Sequence, residues 1–258
     1  MRSQDSSTER FFGRHAARYA KSHSHAHGDD LAVLIEALGP RLSDVALDVA
    51  TGTGFTAVAL ARHVKGVTGI DVTEQMLKEA RKLATTERLT NVKFETGEAL
   101  GLAYSDSSFD IVTTRRAAHH FKDVPRFLRE ARRVLKPGGR LGVADMSPPG
   151  GAEAFSNEVE RLRDGSHAKA FSPAAWKTMM SDAGFHITFL QVLAETTPFE
   201  DWIYPVQPGG DEEASVRRAW AAASPAVKQL LHAEFEGGTI ARWTKSRIVL
   251  IADRPVEP

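Results

Sequence analysis

Val45-Ala46-Leu47-Asp48-Val49 is a short apolar run that passes through Ala50-Thr51-Gly52-Thr53-Gly54 into Phe55-Thr56-Ala57-Val58-Ala59-Leu60-Ala61. Its length and β-branched content predict a buried strand, and the alanine- and leucine-rich run beyond the glycines predicts a helix. A glycine turn between a buried strand and a helix commits the chain to a βα unit, the building block of a mostly parallel sheet covered by helices. The alternation then repeats: residues 66–70, 92–95, 109–113 and 140–144 read as strands, with helices at 54–63, 73–84 and 124–135. Pro137-Gly138-Gly139 is expected to end the last of these helices.

Beyond residue 145 the rhythm loosens. A helix is expected over 153–163, another opening at Ser172-Pro173, a strand over 185–193 and a final strand over 246–252. The chain reads as one domain, 1–258, with two insertions, 146–171 and 195–240, that form a small cap. Residues 1–30 read as an N-terminal helix and lid segment. Phe11, His15 and Tyr19 recur at helical spacing beside Arg10, Arg14 and Arg18. A further helix is expected over 31–38. Alternating His23, His25 and His27 share one side of an extended segment, as metal ligands would. No carboxylate completes a set, so a polar lid is the preferred reading and no metal is expected.

Composition narrows the function classes. A chain of 258 residues buries about three quarters of its unfolded surface and needs no staple. It has no cysteine, which excludes disulfides, thiol nucleophiles and cysteine-ligated metal sites. Lys plus Arg and Asp plus Glu are both 33, so no overall field draws nucleic acid or an anionic membrane. The basic row Arg126, Arg129, Arg132, Arg133, Lys136 and Arg140 reads as a solvated face with Glu130 among it. The first ten residues are polar and no apolar run reaches the ~18 residues of a bilayer span. A cytoplasmic protein is expected, with no nucleic-acid or membrane partner; a homodimer is allowed.

Gly52-Thr53-Gly54-Phe55-Thr56-Ala57 fits the G-x-G-x-x-G/A turn that places a ligand at a helix N-terminus, and by itself it suits two cofactors. Asp71, at the tip of the second strand, lies at the distance from which a carboxylate takes both hydroxyls of a ribose. Asp48 separates the candidates. Beside a pyrophosphate, its charge would repel. S-adenosylmethionine (AdoMet) brings a sulfonium and an ammonium, which Asp48 favours, and a carboxylate, which the helix N-terminus favours. The charge balance points to AdoMet over a nicotinamide dinucleotide.

The runs LDVATGTGFTAVALA, VTGIDVTEQMLKEAR and VKFETGEALGLAYSDSSFDIVTTRRAAHHFKDVPRFLREARRVLKPGGRL resemble class I AdoMet-dependent methyltransferases. The resemblance is to the branch that includes ubiquinone/menaquinone-biosynthesis C-methyltransferases, and within it to small bacterial members with AAHHF, LRD-x-SH and FS-x-x-x-W elements. It implies an α/β, Rossmann-like seven-stranded sheet of order 3-2-1-4-5-7-6, strand 7 antiparallel, with helices on both faces. Asp48, Gly52 and Gly54 would line the methionine end and Asp71 would hold the ribose. Ala50 stands where a glycine is commoner. Val72 would press on the adenine, and Glu98 and Ala99 would meet its edge, Glu98 replacing a commoner Asp. Thr114 and Arg115, within Thr113–Arg116, would face the methionyl part and the reacting methyl. Tyr19 matches a tyrosine that closes over the cofactor.

Methyl transfer is an in-line displacement in which alignment alone supplies roughly 7–11 kcal/mol in favourable cases. Any base must lie near the acceptor, and His119 and His120 follow the fourth strand with imidazoles suited to take a proton. Arg115 and Arg116 suit an anionic acceptor or a neighbouring carboxylate. Arg163 and His167, in the first insertion, and Trp202, in the second, complete the acceptor candidates. The expected function is methylation of a small molecule with release of S-adenosylhomocysteine. A non-catalytic AdoMet-binding subunit or sensor is the alternative, and an NAD(P)-dependent oxidoreductase a more distant one.

Overall fold

The computed structural model describes residues 12, 13, 15–17, 19, 20, 26, 28–204 and 206–256. Arg10, Phe11, Arg14, Arg18, His23, His25 and His27 lie outside the described residues.

Five parallel strands form the heart of the sheet: β1 (Val45–Val49), β2 (Gly66–Asp71), β3 (Val92–Thr96), β4 (Phe109–Arg115) and β5 (Leu135–Met146). β6 (His186–Pro198) and β8 (Thr239–Asp253) complete the order β3-β2-β1-β4-β5-β8-β6, with β8 antiparallel to both neighbours. The expected order therefore holds for the seven long strands. The eighth, β7 (Glu234–Glu236), pairs only with β8 and belongs to the cap.

Alternating residues of each strand feed two separate cores, as the two-residue period of a strand requires. Ala46, Val67, Ile111, Ala144 and Val249 pack with α1 (Asp29–Leu38), α2 (Phe55–Ala61) and α3 (Glu74–Thr86). Leu47, Val49, Val112, Val143 and Leu250 pack on the other face with α4 (Val124–Val134) and α6 (Pro173–Asp182). Asp123 caps α4 by accepting from the Arg126 N–H at 2.8 Å, and Ser172 caps α6, as its Ser-Pro start predicts. α4 stops at Val134, ahead of the proline–glycine turn expected to end it. Leu135 is already extended, and Leu135–Met146 runs as one strand with a break in register between Phe109 and Ile111 of β4. Pro137 disfavours a helical Lys136, so the change to strand comes before it.

β6 and β8 are longer than their apolar runs suggested. β8 pairs with β5 only over Arg247–Asp253, while residues 242–246 continue past the end of β5 alongside β6 and residues 239–242 pair with β7. At ~3.4 Å per residue this ribbon overhangs the carboxyl edge of the sheet by roughly 25 Å. It carries a third core, in which Phe199, Trp202, Val216, Trp220, Leu231, Ile240 and Trp243 pack with Ala152 and Val159. Its helices are α5 (Glu153–Arg163), α7 (Phe199–Ile203), α8 (Asp211–Ala222) and α9 (Pro225–Leu230). The insertions thus form a roof with its own packing, held out over the end of the sheet where ligands gather.

Trp220 is fully buried and meets Phe155 and Trp243 edge-on or tilted at 4.8 and 5.2 Å. Trp220→Ala should cost about 3–5 kcal/mol of cap stability. Amide exchange should accelerate over 199–243 while β1–β4 keep their protection; equal loss in both regions would show that the cap is not a separate unit.

Candidate active site

The glycine loop turns by using left-handed backbone at Ala50 (φ 55°), Gly52 (φ 54°) and Gly54 (φ 88°). A Cβ on Gly54 would lie 2.8 Å from the Ala80 Cβ, so glycine is needed where α2 starts against α3. A Cβ on Gly52 would meet nothing within 4 Å, so its backbone faces open space a ligand can approach. Asp71 accepts from the Gly52 N–H and the Thr73 N–H, both at 2.9 Å, which fixes its carboxylate beside that opening. Burial raises the Asp71 pKa, and those N–H groups oppose the shift. Val72 is half-buried, Glu98 is exposed in a bridge to Gly101, and Ala99 packs on the core beneath. Thr114 is fully buried, and its hydroxyl has no partner among the described residues.

Asp48 sits below the loop. Only 1% exposed, it accepts from the Thr51 hydroxyl at 2.6 Å and the Thr113 hydroxyl at 2.7 Å. Burial pushes it up to about 6 despite these bonds. Asp48 therefore braces the loop against β4 and acts on the cleft through its charge and Thr51. The residues fit AdoMet: an open glycine face, a carboxylate fixed beside it for a ribose, and a second, buried carboxylate below the methionine end.

The two arginines at the end of β4 turn to a partner the sequence did not reveal. Asp30, at the start of α1 and 2% exposed, pairs with the Arg115 Nη1 at 3.0 Å and the Arg116 Nη2 at 2.6 Å. Arg115 also donates to the Thr56 hydroxyl at 3.1 Å. Burial would raise Asp30, but the hydrogen bond from Arg116 and the charge of both arginines hold it well below the carboxylate range. Arg115 thus ties α1, α2 and β4 together, while Arg116 also reaches the wall of the cavity described next.

A cavity of about 350 Å³ lies beneath the roof, and neither the glycine loop nor Asp71 lines it. Tyr19, Arg116, His119, His120, Arg163 and Trp202 line it, together with Asp145, Glu160, Tyr204, Trp243 and Lys245. His119 and His120 are carried in by the single 3-10 turn Ala118–His120 after β4. The His119 Nδ1 lies 2.5 Å from Asp145, whose other oxygen accepts the His119 backbone N–H at 2.9 Å. Burial would lower His119, but the charge of Asp145 and this hydrogen bond leave it above its ordinary value. Burial and the adjacent His119 push His120 down to about 3, and the same two causes put His167 at about 4. One histidine of the three is therefore built to carry a proton.

His167 stands behind the chamber, its Nε2 2.7 Å from the Asn157 Oδ1 and its ring 5.6 Å from His119. Arg163 is spent on Glu160 at 2.7 Å and the Tyr204 carbonyl at 2.8 Å. Trp202 donates to Glu160 at 3.0 Å and packs edge-on to Trp243, so it belongs to both the roof's core and the chamber wall. Tyr19 is pushed up to about 12 by burial and next by Asp164. The sequence reading missed Asp145, Asp30, Glu160 and Lys245. Asp145 alone left a signal, a carboxylate directly after the apolar run of the fifth strand, where ligand residues gather. Among the described residues no group of histidines and carboxylates could hold a metal, and no helix is long and apolar enough to cross a membrane.

The methyltransferase-domain family profile matches residues 43–187. YcgJ of Bacillus subtilis, an uncharacterized methyltransferase, is 35% identical over 194 residues, 74% of this chain and 77% of its own length. A proposed methyltransferase from Bacillus halodurans has a crystal structure that superposes with a TM-score of 0.84 at 34% identity, covering 88% of this chain and 100% of that one. The demethylmenaquinone methyltransferase of Deinococcus radiodurans is 45% identical over 118 residues, 45% of this chain and 48% of its own. With the glycine loop, the paired carboxylates and the sheet order, these likenesses place the chain in the methyltransferase-domain family, as a class I AdoMet-dependent methyltransferase.

Proposed function

We propose that this enzyme methylates a small molecule held in the chamber, with His119 as the base and Asp145 as the residue that positions it. The observation that carries the reading is the 2.5 Å contact between His119 Nδ1 and Asp145 on the wall of a cavity of about 350 Å³ beneath the roof. A roof over a cavity of that size suits a small acceptor rather than a macromolecule. The naming of one relative for demethylmenaquinone supports the same class.

AdoMet, when bound, supplies an electrophilic methyl group on a sulfonium. Gly52 and the start of α2 would receive its carboxylate, Asp71 would hold its ribose, and Val72, Glu98 and Ala99 would meet its adenine. Phe12 and Tyr19 line the chamber, with Phe12 edge-on to His120 at 5.0 Å. Asp145 accepts a hydrogen bond from the His119 Nδ1–H, which leaves Nε2 unprotonated and free to take a proton. As the acceptor's hydroxyl or acidic carbon attacks, its proton passes to Nε2, and Asp145 stabilises the imidazolium that results. The built chamber and this dyad favour catalysis over a silent AdoMet-binding subunit.

With radiolabelled methyl AdoMet and a bacterial extract, label should enter the low-molecular-weight fraction; label confined to protein or nucleic acid would sink the reading. Asp71→Ala should weaken S-adenosylhomocysteine binding about 10–100-fold in calorimetry, the loss of a charged hydrogen-bond acceptor. An unchanged affinity in a folded variant would move the ribose site elsewhere. His119→Gln should slow transfer about 10²–10⁴-fold with cofactor affinity retained. The neutral base grows as pH rises through the His119 pKa, so the rate should climb through a value above the ordinary histidine range. In Asp145→Asn the raising charge is gone and burial prevails, so the climb should shift to lower pH while the maximum rate falls. A climb that stays in place would reduce Asp145 to a structural role.

A further inference from the structure

Among the described residues, the chamber's cations are matched by carboxylates with one exception. Arg163 pairs with Glu160 at 2.7 Å, Arg116 with Asp30 at 2.6 Å, Arg247 with Glu195 at 2.6 Å, and His119 with Asp145 at 2.5 Å. Lys245 lines the same chamber, yet among the described residues its ammonium has neither an ion pair nor a hydrogen bond. The strongest negative influence on it is Glu160, which already accepts from Arg163 and Trp202, followed by Glu195, opposite it on β6 and already paired with Arg247. Two more donors of the lining are orphaned. The Trp243 Nε1, two residues before Lys245 on β8, and the Ser156 Oγ on α5 are buried with no partner among the described residues. Unpaired buried donors are costly, and groups left so in a ligand chamber point to oxygens that complete them on binding.

The chamber is also polarised. Asp164 belongs to the histidine end, where its Oδ1 accepts from the Ser166 N–H and hydroxyl and its charge acts on His119, His120 and Tyr19. Lys245 and Arg247 lie on the overhanging part of β8 and its root. Asp145 pairs in register with Ile248, so Lys245 stands three residues farther out, about 10 Å along the strand. Arg115 and Arg116, the residues whose sequence suited an anion, are both committed to Asp30.

We propose that the acceptor carries an anionic oxygen group, a carboxylate or a phosphate ester, that seats on Lys245 while its reacting atom lies at His119; this rests on the methyltransferase reading above. Burial holds the lysine at about 8, so its charge is poorly supported until an anion arrives, which makes it a specificity determinant.

The test is calorimetry on protein loaded with S-adenosylhomocysteine, using matched pairs: salicylate and salicylamide, protocatechuate and its amide, phenyl phosphate and phenol. At least one anion should bind tenfold or more tightly than its neutral partner, and whether it is an acid or the phosphate identifies the group. That preference should vanish in Lys245→Gln, with S-adenosylhomocysteine affinity unchanged, and persist in Lys245→Arg. Equal affinity within every pair, a preference that survives Lys245→Gln, or no binding by any anion to the loaded protein would each overturn the proposal. Should Lys245→Gln not fold, the pair comparison in the native protein decides alone. Failure of the native protein to bind S-adenosylhomocysteine would overturn the methyltransferase reading itself.

Discussion

The carboxylate of Asp48 lies where the chain leaves β1 for the glycine loop, and its two oxygens join parts of the molecule that would otherwise be set independently. One takes the Thr51 hydroxyl from the loop and the other the Thr113 hydroxyl from β4. Asp71 does the same one strand over, joining the Gly52 and Thr73 N–H groups. Two carboxylates thereby hold the loop at the adjacent residues Thr51 and Gly52, between its left-handed Ala50 and Gly54. A site that binds a cation-bearing cofactor gains twice from this. The acids that fix its geometry also supply the negative field, and Asp48 is dry enough for that field to carry.

The acceptor half follows a different plan. A two-stranded ribbon roofs it, and its polar residues come from the turn after β4, from β5, α5 and β8 at once. Their charges are arranged so that one histidine is supported by a carboxylate while its two neighbours are pushed toward neutrality. Three imidazoles this close cannot all be charged, and Asp145 decides which one is.

The donor half was legible because its signals are local. A strand, a glycine turn and a helix occupy adjacent residues, and Asp48 and Asp71 end successive strands of that pattern. His119 and His120 were visible for the same reason. The partners were not, since Asp30 and Arg116 are 86 residues apart, as are no two groups that periodicity can relate. Arg115 and Arg116 therefore looked available to a ligand when each had a buried acid to meet. The long ribbon was hidden too. Polar Glu195 and Thr196 fell in the insertion 195–240 and Thr244 lay ahead of the strand expected over 246–252, because a projecting ribbon exposed to water needs no apolar alternation.

The separate packing of the roof has a consequence for how such an enzyme changes over time. Its aromatic cluster shares few side chains with the two cores that flank the sheet, so substitutions in one are expected to add to those in the other rather than compound them. The half that reads the acceptor can drift toward new substrates without disturbing the half that holds the methyl donor. A single scaffold can thus serve a family of diverse chemistries by exchanging what the ribbon carries.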